Sequence, residues 1–292
     1  MGRVRVALGI DEFSRKENYR AGVGWGVPAS GLRILIHAEQ GYGDTMQFVR
    51  YVSWVAAKGN TVLLYCQPEL KRLFETLDDV AVVVPADGTQ IPQFDRYVAV
   101  MSLPRLATTT RETVPAEVPY LRVPVGCTEP FCQISAGADG KKRIGIVWAG
   151  RPSHDNDRNR SCPLEDFRPL AERQDIRLYS LQKEGEDLRR LAASVPGYET
   201  VVDLSSSLGD FADTAAAIDA LDLIIGVDTS VMHLAGAMAK PVWVLLPFAP
   251  DWRWMLARDD SPWYPTMRLF RQSEPGDWCG VMHRLCEALD RF

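Results

Sequence analysis

The feature of this sequence that most constrains its fold is a regular alternation of short apolar runs with longer segments of helical period. From Leu32 onward, runs rich in Val, Ile and Leu are separated by stretches whose apolar residues recur every three or four positions. Strands and helices that alternate in this way build βαβ units around a parallel sheet. The sequence therefore predicts an α/β protein.

The alternation occurs in two series, which predicts two Rossmann-like domains. A proline- and glycine-rich segment from Pro115 to Lys142 separates the series, and such segments mark linkers. We expect domains at 1–135 and 136–276, followed by an amphipathic helix at 277–292. The predicted strands are Arg33–His37, Thr61–Tyr65, Val80–Val84 and Tyr97–Val100, then Arg143–Trp148, Ile176–Leu181, Thr200–Val202, Leu223–Val227 and Val242–Leu246.

Charge and cysteine spacing argue against several classes of function. The formal net charge is −5, whereas general binding to nucleic acid or to an anionic membrane needs a basic surface. The six cysteines form no CxxC pair, so neither a disulfide framework nor a metal site is predicted. No apolar stretch reaches the roughly 18 residues of a membrane span, and the first residues are too polar for a signal peptide. We expect a cytoplasmic protein without membrane insertion.

The loop after the first predicted strand carries candidate site residues, because ligands of open α/β sheets bind beyond the carboxyl ends of the strands. Gly41 and Gly43 allow a ligand close to the backbone, and the Asp44 carboxylate could accept a proton from a sugar hydroxyl. Alternatively, Asp44 only caps the next helix, with Gln47 as its reciprocal partner. A dinucleotide fingerprint is disfavoured, because Met46 stands where a third glycine or alanine is expected.

The loop after the first strand of the second domain gathers arginines in an acidic protein. Trp148 ends that strand and is expected at the cleft, and Arg158 and Arg160 follow in a polar loop. Guanidinium groups match the geometry of phosphate oxygens, so these arginines could clamp a diphosphate. They could instead pair with Asp155 and Asp157 in solvent. The D-x-D triplet that these two aspartates form could hold a metal, but a turn role is favoured, since Asp and Asn are common turn residues.

A third candidate segment is the turn from strand Leu223–Val227 into a helix. Asp228, Thr229 and Ser230 occupy this turn, and a helix start rich in small hydroxyl residues presents N–H groups that suit a phosphate. His233, one turn later, could donate to a phosphate oxygen or a ribose hydroxyl. The alternative is that the turn only caps the helix and that His233 is an ordinary packed histidine.

Four segments together resemble the glycosyltransferase-like domains related to glycosyltransferase family 9, the ADP-heptose heptosyltransferase family, especially bacterial versions attached to tetratricopeptide repeats. The segments are HAEQGYGDTMQFVRY, VWAGRPSHDNDRNRS, DFADTAAAIDALDLIIGVDTSVMHLAGA and LLPFAPDWRWMLARDDSPWYP. The resemblance implies the glycosyltransferase B fold, in which two Rossmann-like domains face each other across a cleft. It also implies an acceptor mostly on the first domain, a nucleotide sugar mostly on the second, and no required metal or other cofactor.

The resemblance also implies roles for individual residues. Asp44 matches the general base of the heptosyltransferases, and Arg160 falls near the phosphate-binding lysine of the family. The donor motif D-[ST]-G-x-x-H, with serine in place of its glycine, matches Asp228, Thr229, Ser230 and His233. Arginine in place of lysine leaves the identity of the donor open. The chain carries none of the attached repeats, so we expect its acceptor to be recruited in another way.

We therefore expect an inverting sugar transfer that needs no metal. Asp44 would deprotonate an acceptor hydroxyl, which attacks the anomeric carbon as the nucleoside diphosphate leaves. Arg158, Arg160 and the helix start at Thr229–Val231 would stabilise the charge on the diphosphate. Residues expected near the nucleoside are Gln182 and Lys183, and residues that could line the cleft or pack in the core are Trp252, Trp254 and Trp263.

Two other classes of function stay open at this point. The chain could be a binding or regulatory module that keeps the nucleotide pocket without turnover, or it could be a nucleotide-sugar epimerase. The sequence leaves open the base and sugar of the donor, and it leaves open whether the acceptor is a glycan, a lipid-linked molecule or a protein.

Overall fold

The computed structural model describes residues 30–136, 140–153, 156–183 and 186–292, and the chain forms two compact units. The first unit ends at Pro115 and the second begins at Ala116, which is earlier in the chain than the division expected at residue 135. The backbone N–H groups of Tyr120 and Leu121 donate to the carbonyl oxygen of Ala237 over 3.0 and 3.3 Å. The segment after Pro115 therefore belongs to the second unit.

The first unit is built on a four-stranded parallel sheet with the strand order β3-β2-β1-β4. Its strands are β1 (Arg33–His37), β2 (Thr61–Cys66), β3 (Val82–Pro85) and β4 (Arg96–Ala99), and its helices are α1 (Tyr42–Phe48), α2 (Val52–Ala56), α3 (Lys71–Phe74) and α4 (Leu103–Leu106). The middle of β1 is buried throughout, as expected for a strand covered on both faces. The chain adds β2 on one side of β1 and β4 on the other, so the loop after β1 lies at a topological switch point, where such sheets bind ligands.

The second unit is built on a six-stranded parallel sheet with the order β10-β9-β8-β5-β6-β7. Its strands are β5 (Lys142–Val147), β6 (Ile176–Ser180), β7 (Val202–Asp203), β8 (Leu223–Val227), β9 (Val242–Leu246) and β10 (Met267–Arg271). Its helices are α5 (Cys132–Ala136), α6 (Asp157–Arg160), α7 (Arg168–Ala171), α8 (Glu186–Ala192), α9 (Phe211–Asp219), α10 (Ser230–Ala237) and α11 (Trp278–Leu289). The switch point lies between β5 and β8, so the loops after these two strands form the expected ligand edge.

The strand predictions were correct for the centres of both sheets and wrong at two edges. The predicted strand Thr200–Val202 is displaced, because a short 3-10 helix occupies Tyr198–Thr200 and the strand covers Val202–Asp203. Strand β10 was not predicted, because it is an edge strand in which exposed Arg268 interrupts the apolar run. Within the described ranges, no helix has both the length and the apolar character that a bilayer span requires.

The C-terminal helix α11 is an integral part of the second unit. Trp278, Val281 and Leu285 are buried in one hydrophobic cluster with the central strands β5 and β8. The Asp277 carboxylate caps the helix by accepting from the Gly280 N–H over 2.8 Å. The predicted amphipathic helix therefore docks on the second sheet.

We expect Leu285→Ala to lower the free energy of unfolding by about 2 to 5 kcal/mol, because it leaves a cavity in a fully buried position. Urea denaturation monitored by tryptophan fluorescence measures the change. Glu287→Ala, on the exposed face of the same helix, should change stability by less than about 0.5 kcal/mol. Equal losses for the two variants would contradict the docked position of α11.

Candidate functional site

The loop after β1 folds the Asp44 carboxylate back onto its own turn. Gly41 is the N-cap of α1, and Oδ2 of Asp44 accepts a hydrogen bond from the Gly41 N–H over 3.1 Å. Helix α1 begins at Tyr42, so Asp44 is its third residue rather than the residue before it. The predicted capping pair of Asp44 with Gln47 is therefore wrong in register, and Gln47 is fully buried instead. A capping function for the Asp44 carboxylate is nevertheless real.

The same loop is fastened to the end of β2 through a glutamine. The hydroxyl of Thr45 lies 3.2 Å from both the Gly41 carbonyl oxygen and Oε1 of Gln67. The Gln67 amide in turn donates to the carbonyl oxygen of Gln40 over 2.9 Å. These bonds fix the turn that carries Gly41, Gly43 and Asp44, and the sequence analysis had given Gln67 no such role.

A second carboxylate lies close to Asp44 and was missed from the sequence. Burial raises the pKa of Glu39, a hydrogen bond involving the Met101 backbone opposes the shift, and the charge of Asp44 adds to it. Glu39 therefore retains a proton at a pH where an ordinary glutamate has lost it. The edge beyond β1 and β4 thus holds one more readily protonated carboxyl beside Asp44.

The loop after β5 is built around a glycine. The Gly150 N–H donates to the Ser161 hydroxyl over 3.1 Å, and that hydroxyl donates to Oδ1 of Asp157 over the same distance. A Cβ atom at position 150 would lie 2.6 Å from Oδ1 of Asp157 and would also collide with the Arg160 guanidinium. Only glycine fits here without displacing the Asp157–Arg160 pair.

Arg160 connects the loop after β5 to the end of β8. Its Nε lies 3.4 Å from Oδ1 of Asp157, and its Nη1 donates to the Asp228 carbonyl oxygen over 3.2 Å. The side chains of Arg160 and Asp157 are only 15% and 17% exposed. The alternative pairing of Arg160 with Asp157 therefore occurs, although the pair is largely buried instead of lying in solvent. It places the guanidinium at the switch point of the sheet.

The other polar residues of this loop are distributed differently. Arg158 lies on α6 with Arg160 but is exposed. Asp155, and with it the predicted D-x-D triplet, lies outside the described residues. Among the residues that are described, no three His, Cys, Asp or Glu side chains are grouped so that they could hold a metal ion.

Gln182 and Lys183, both predicted near a nucleoside, lie at the end of β6. Oε1 of Gln182 accepts from the Ala149 N–H over 3.3 Å, which joins it to the loop after β5. Lys183 is exposed and donates to the carbonyl oxygen of Gly209 over 3.1 Å. Trp148 is 2% exposed and packs in the hydrophobic cluster, so its side chain serves the core.

The start of α10 presents the N–H groups that a helix leaves without intrahelical acceptors. Thr229 is the N-cap residue, in extended conformation, and its side chain makes no capping bond. The Thr229 hydroxyl oxygen is buried and has no partner among the described atoms. Asp228 does not cap the helix either, so its predicted capping function is wrong.

The Asp228 carboxylate instead faces a buried group of side chains around His233. Nε2 of His233 lies 3.9 Å from Oδ1 of Asp228 and 3.5 Å from Nη1 of Arg253, and Nδ1 lies 2.9 Å from the Tyr264 hydroxyl. Burial raises the pKa of Asp228, while the charge of Arg253 and the Trp254 indole act in the opposite direction. Nearby Asp251 raises this pKa and Arg160 lowers it.

Two of these residues, Arg253 and Tyr264, were not predicted, because they reach His233 only through contacts across 20 and 31 residues of the chain. Trp254 is fully buried, and its ring centroid lies 5.4 Å from that of His233. Trp263 is also buried, whereas Trp252 is 59% exposed. The tryptophans therefore divide into two core residues and one surface residue.

Tyr264 reaches His233 because α10 carries a glycine on its buried face. A Cβ atom at Gly236 would lie 2.7 Å from Cδ1 of Tyr264 and 2.6 Å from the terminal methyl of Met267. Glycine in a helix interior costs about 1 kcal/mol relative to alanine. Alanine would be the better helix former at position 236, but its methyl group would collide with the Tyr264 ring.

Comparison with known proteins relates the chain to sugar-transferring enzymes. Residues 163–246 match the model of glycosyltransferase family 9 (heptosyltransferase). Protein FlbA of Caulobacter vibrioides is 27% identical over 295 residues, which cover 93% of this chain and 48% of FlbA. The chain thus spans about half the length of this curated relative.

Solved structures of heptosyltransferases share the fold. ADP-heptose LPS heptosyltransferase II of E. coli superposes with a TM-score of 0.61 at 14% identity, covering 89% of this chain and 99% of that one. The iron-containing dodecameric glycosyltransferase TibC of enterotoxigenic E. coli gives 0.55 at 11% identity, covering 93% and 82%. The predicted glycosyltransferase B fold and the resemblance to family 9 are confirmed.

Proposed function

We propose that the chain transfers a sugar from a nucleoside-diphosphate sugar to an acceptor hydroxyl, with inversion at the anomeric carbon and without a metal. The observation that carries this proposal is the contact of Arg160 with the Asp228 carbonyl. It joins a guanidinium to the start of α10 at the switch point between β5 and β8. A fixed cation and a helix N-terminus at one sheet edge suit a diphosphate.

In the proposed reaction, the second unit stabilises the leaving group. The bond between the anomeric carbon and the diphosphate oxygen breaks, and the electron pair stays on the diphosphate. Arg160 and the N–H groups at Thr229–Val231 would meet this developing charge, while exposed Arg158 adds positive charge from the same short helix. Gln182, bonded to the Ala149 N–H, lies at the adjacent strand end, where the nucleoside would bind.

Asp44 is the proposed general base. The acceptor hydroxyl transfers its proton to Asp44 as its oxygen bonds to the anomeric carbon. The hydrogen bond from the Gly41 N–H to Oδ2 holds the carboxylate in one orientation. Glu39, with its raised pKa, places a second carboxyl near Asp44. The acceptor itself stays open among glycans, lipid-linked molecules and proteins.

The Asp44–Gly41 hydrogen bond also favours a second candidate, a nucleotide-sugar-binding module without turnover. In that case the carboxylate serves only to cap α1. Asparagine distinguishes the two functions, because its side-chain oxygen can still accept from the Gly41 N–H while it cannot take a proton from the acceptor.

We expect Asp44→Asn to lower the turnover number by about 100-fold or more, because general base catalysis contributes at least that factor. Its affinity for the nucleoside diphosphate should stay unchanged. Transfer is measured with a panel of nucleoside-diphosphate sugars and acceptors, and affinity by calorimetry. Asp79→Asn, an exposed aspartate of the first unit, is the control. Donor binding without transfer by the wild-type chain, across the whole panel, would favour the binding module.

We expect Arg160→Ala to weaken binding of the nucleoside diphosphate by about 10-fold or more, because a charged hydrogen bond contributes roughly 1.5 to 3 kcal/mol. Arg168→Ala, which removes an exposed arginine paired with Glu172, should leave the affinity unchanged. Calorimetric titration with ADP and UDP measures both variants. Equal affinities of Arg160→Ala and the wild type would place the phosphates elsewhere.

We expect a chelator of divalent cations to leave the turnover number unchanged, because arginines and a helix N-terminus would supply the positive charge on the diphosphate. Transfer is assayed with and without EDTA after exhaustive dialysis. Activity that disappears with EDTA and returns with Mg²⁺ or Fe²⁺ would contradict the metal-independent mechanism. Restoration with Fe²⁺ has to be tested because TibC, which shares the fold, contains iron.

A further inference from the structure

The segment after β9 contains a buried arginine that the proposed mechanism does not use. Arg253 is 9% exposed and belongs to a short 3-10 helix at Trp252–Trp254. Oδ1 of Asp251 accepts from the backbone N–H of Arg253 over 3.1 Å and from its Nε over 2.8 Å. A single carboxylate therefore fixes both the backbone turn and the direction of the guanidinium.

The guanidinium of Arg253 determines which nitrogen of His233 carries the proton. Arginine can only donate hydrogen bonds, so the contact of Nη1 with Nε2 at 3.5 Å favours an unprotonated Nε2. In that tautomer Nδ1 carries the ring proton and faces the Tyr264 hydroxyl, 2.9 Å away, which can accept it. Asp228 lies 3.9 Å from Nε2, which is beyond hydrogen-bond distance. The contacts thus favour a neutral ring protonated on Nδ1.

Arg253 also offsets negative charge beside the proposed diphosphate site. The charged groups around the start of α10 are the carboxylates of Asp157, Asp228 and Asp251 and the guanidinium groups of Arg160 and Arg253. Without Arg253, Asp228 would be a buried carboxylate close to an incoming anion. Repulsion of that kind is strong where water is scarce.

We propose that Arg253 is a positioning residue of the donor site, which holds His233 as a neutral hydrogen-bond acceptor and offsets the charge of Asp228 beside the diphosphate. This part in donor binding rests on the proposed function. His233 accordingly accepts from the Arg253 guanidinium and does not itself donate a proton to the phosphate. Tyr264 completes the arrangement by accepting the proton of Nδ1.

The tautomer of His233 tests the first half of the proposal without any ligand. Nitrogen-15 NMR of the wild-type chain, with His233→Gln to assign the signal, should show a protonated Nδ1 and an unprotonated Nε2. A His233 signal with the proton on Nε2, or on both nitrogens, at neutral pH would overturn the assignment. Because this measurement involves no nucleotide, it stands even if the proposed transferase function fails.

The pH dependence of ADP binding tests the second half. Arg253→Gln should weaken ADP binding by about 10-fold at pH 8, since it removes one charge from the anion site. Loss of the arginine also removes an influence that lowers the pKa of Asp228. As the pH falls below the raised pKa of Asp228, its carboxylate becomes neutral and no longer repels the diphosphate. The ADP affinity of the variant should therefore approach that of the wild type at low pH. A constant ratio of affinities across the pH range would overturn the charge role.

Two further variants separate charge from packing. Arg253→Lys keeps the charge, so its ADP affinity should follow the pH profile of the wild type. The double variant Arg253→Gln with Asp228→Asn should bind ADP more tightly than Arg253→Gln alone at pH 8. A double variant as weak as the single one would show that Arg253 only packs. If the wild-type chain binds no nucleoside diphosphate, the proposed function fails, while the NMR result still decides the role of Arg253 toward His233.

Discussion

The hydrogen bond from Arg160 to the Asp228 carbonyl is the contact on which the candidate donor site depends. It joins the loop after β5 to the end of β8, two segments far apart in the chain that meet only because the sheet reverses its direction of growth between these strands. Gly150 supplies the space that the Asp157–Arg160 pair occupies. The arrangement is therefore a consequence of sheet topology, with one glycine that leaves room for one ion pair.

The two units use the same geometric principle for different chemistry. In each, the loop that follows the first strand leaves the sheet at the switch point and is fastened by side chains to a neighbouring strand end. In the first unit Gln67 holds a turn that carries a carboxylate. In the second, Arg160 holds a turn that carries positive charge.

The sequence alone was sufficient to locate the strands that take part in the regular alternation of apolar runs and helical segments. Central strands carry a continuous apolar run, from Ile34 to Ile36 in β1 and over the whole of β8 and β9, so they were located from the alternation alone. Edge strand β10 was not predicted, because a strand with an exposed face carries residues such as Arg268 and lacks a continuous apolar run. Local propensity could not distinguish these cases, since burial on one face or two is decided by tertiary packing.

The candidate site residues also fall into two groups, those that a local pattern indicates and those that only the tertiary fold brings to the site. Asp44 and Arg160 lie in the short helices that follow β1 and β5, and Asp228 directly follows β8. All three could be identified from their place after a predicted strand, although their hydrogen-bond partners could not. Arg253 and Tyr264 are brought to His233 by the fold of a later loop, and neither has a periodic or capping pattern in the sequence. Their contribution depends on long-range contacts, which spacing along the chain does not contain.

The space between Gly236 and Tyr264 has an evolutionary consequence. A methyl group at position 236 and an aromatic ring at position 264 compete for the same volume, so neither position can change freely while the other is kept. Exchange of the glycine for alanine would need a smaller residue at 264 together with a shift of the flexible Met267 side chain, and a smaller residue at 264 would remove the hydroxyl that contacts His233. These two positions are therefore expected to covary, and their joint state should distinguish chains that keep the buried histidine arrangement from chains that have lost it.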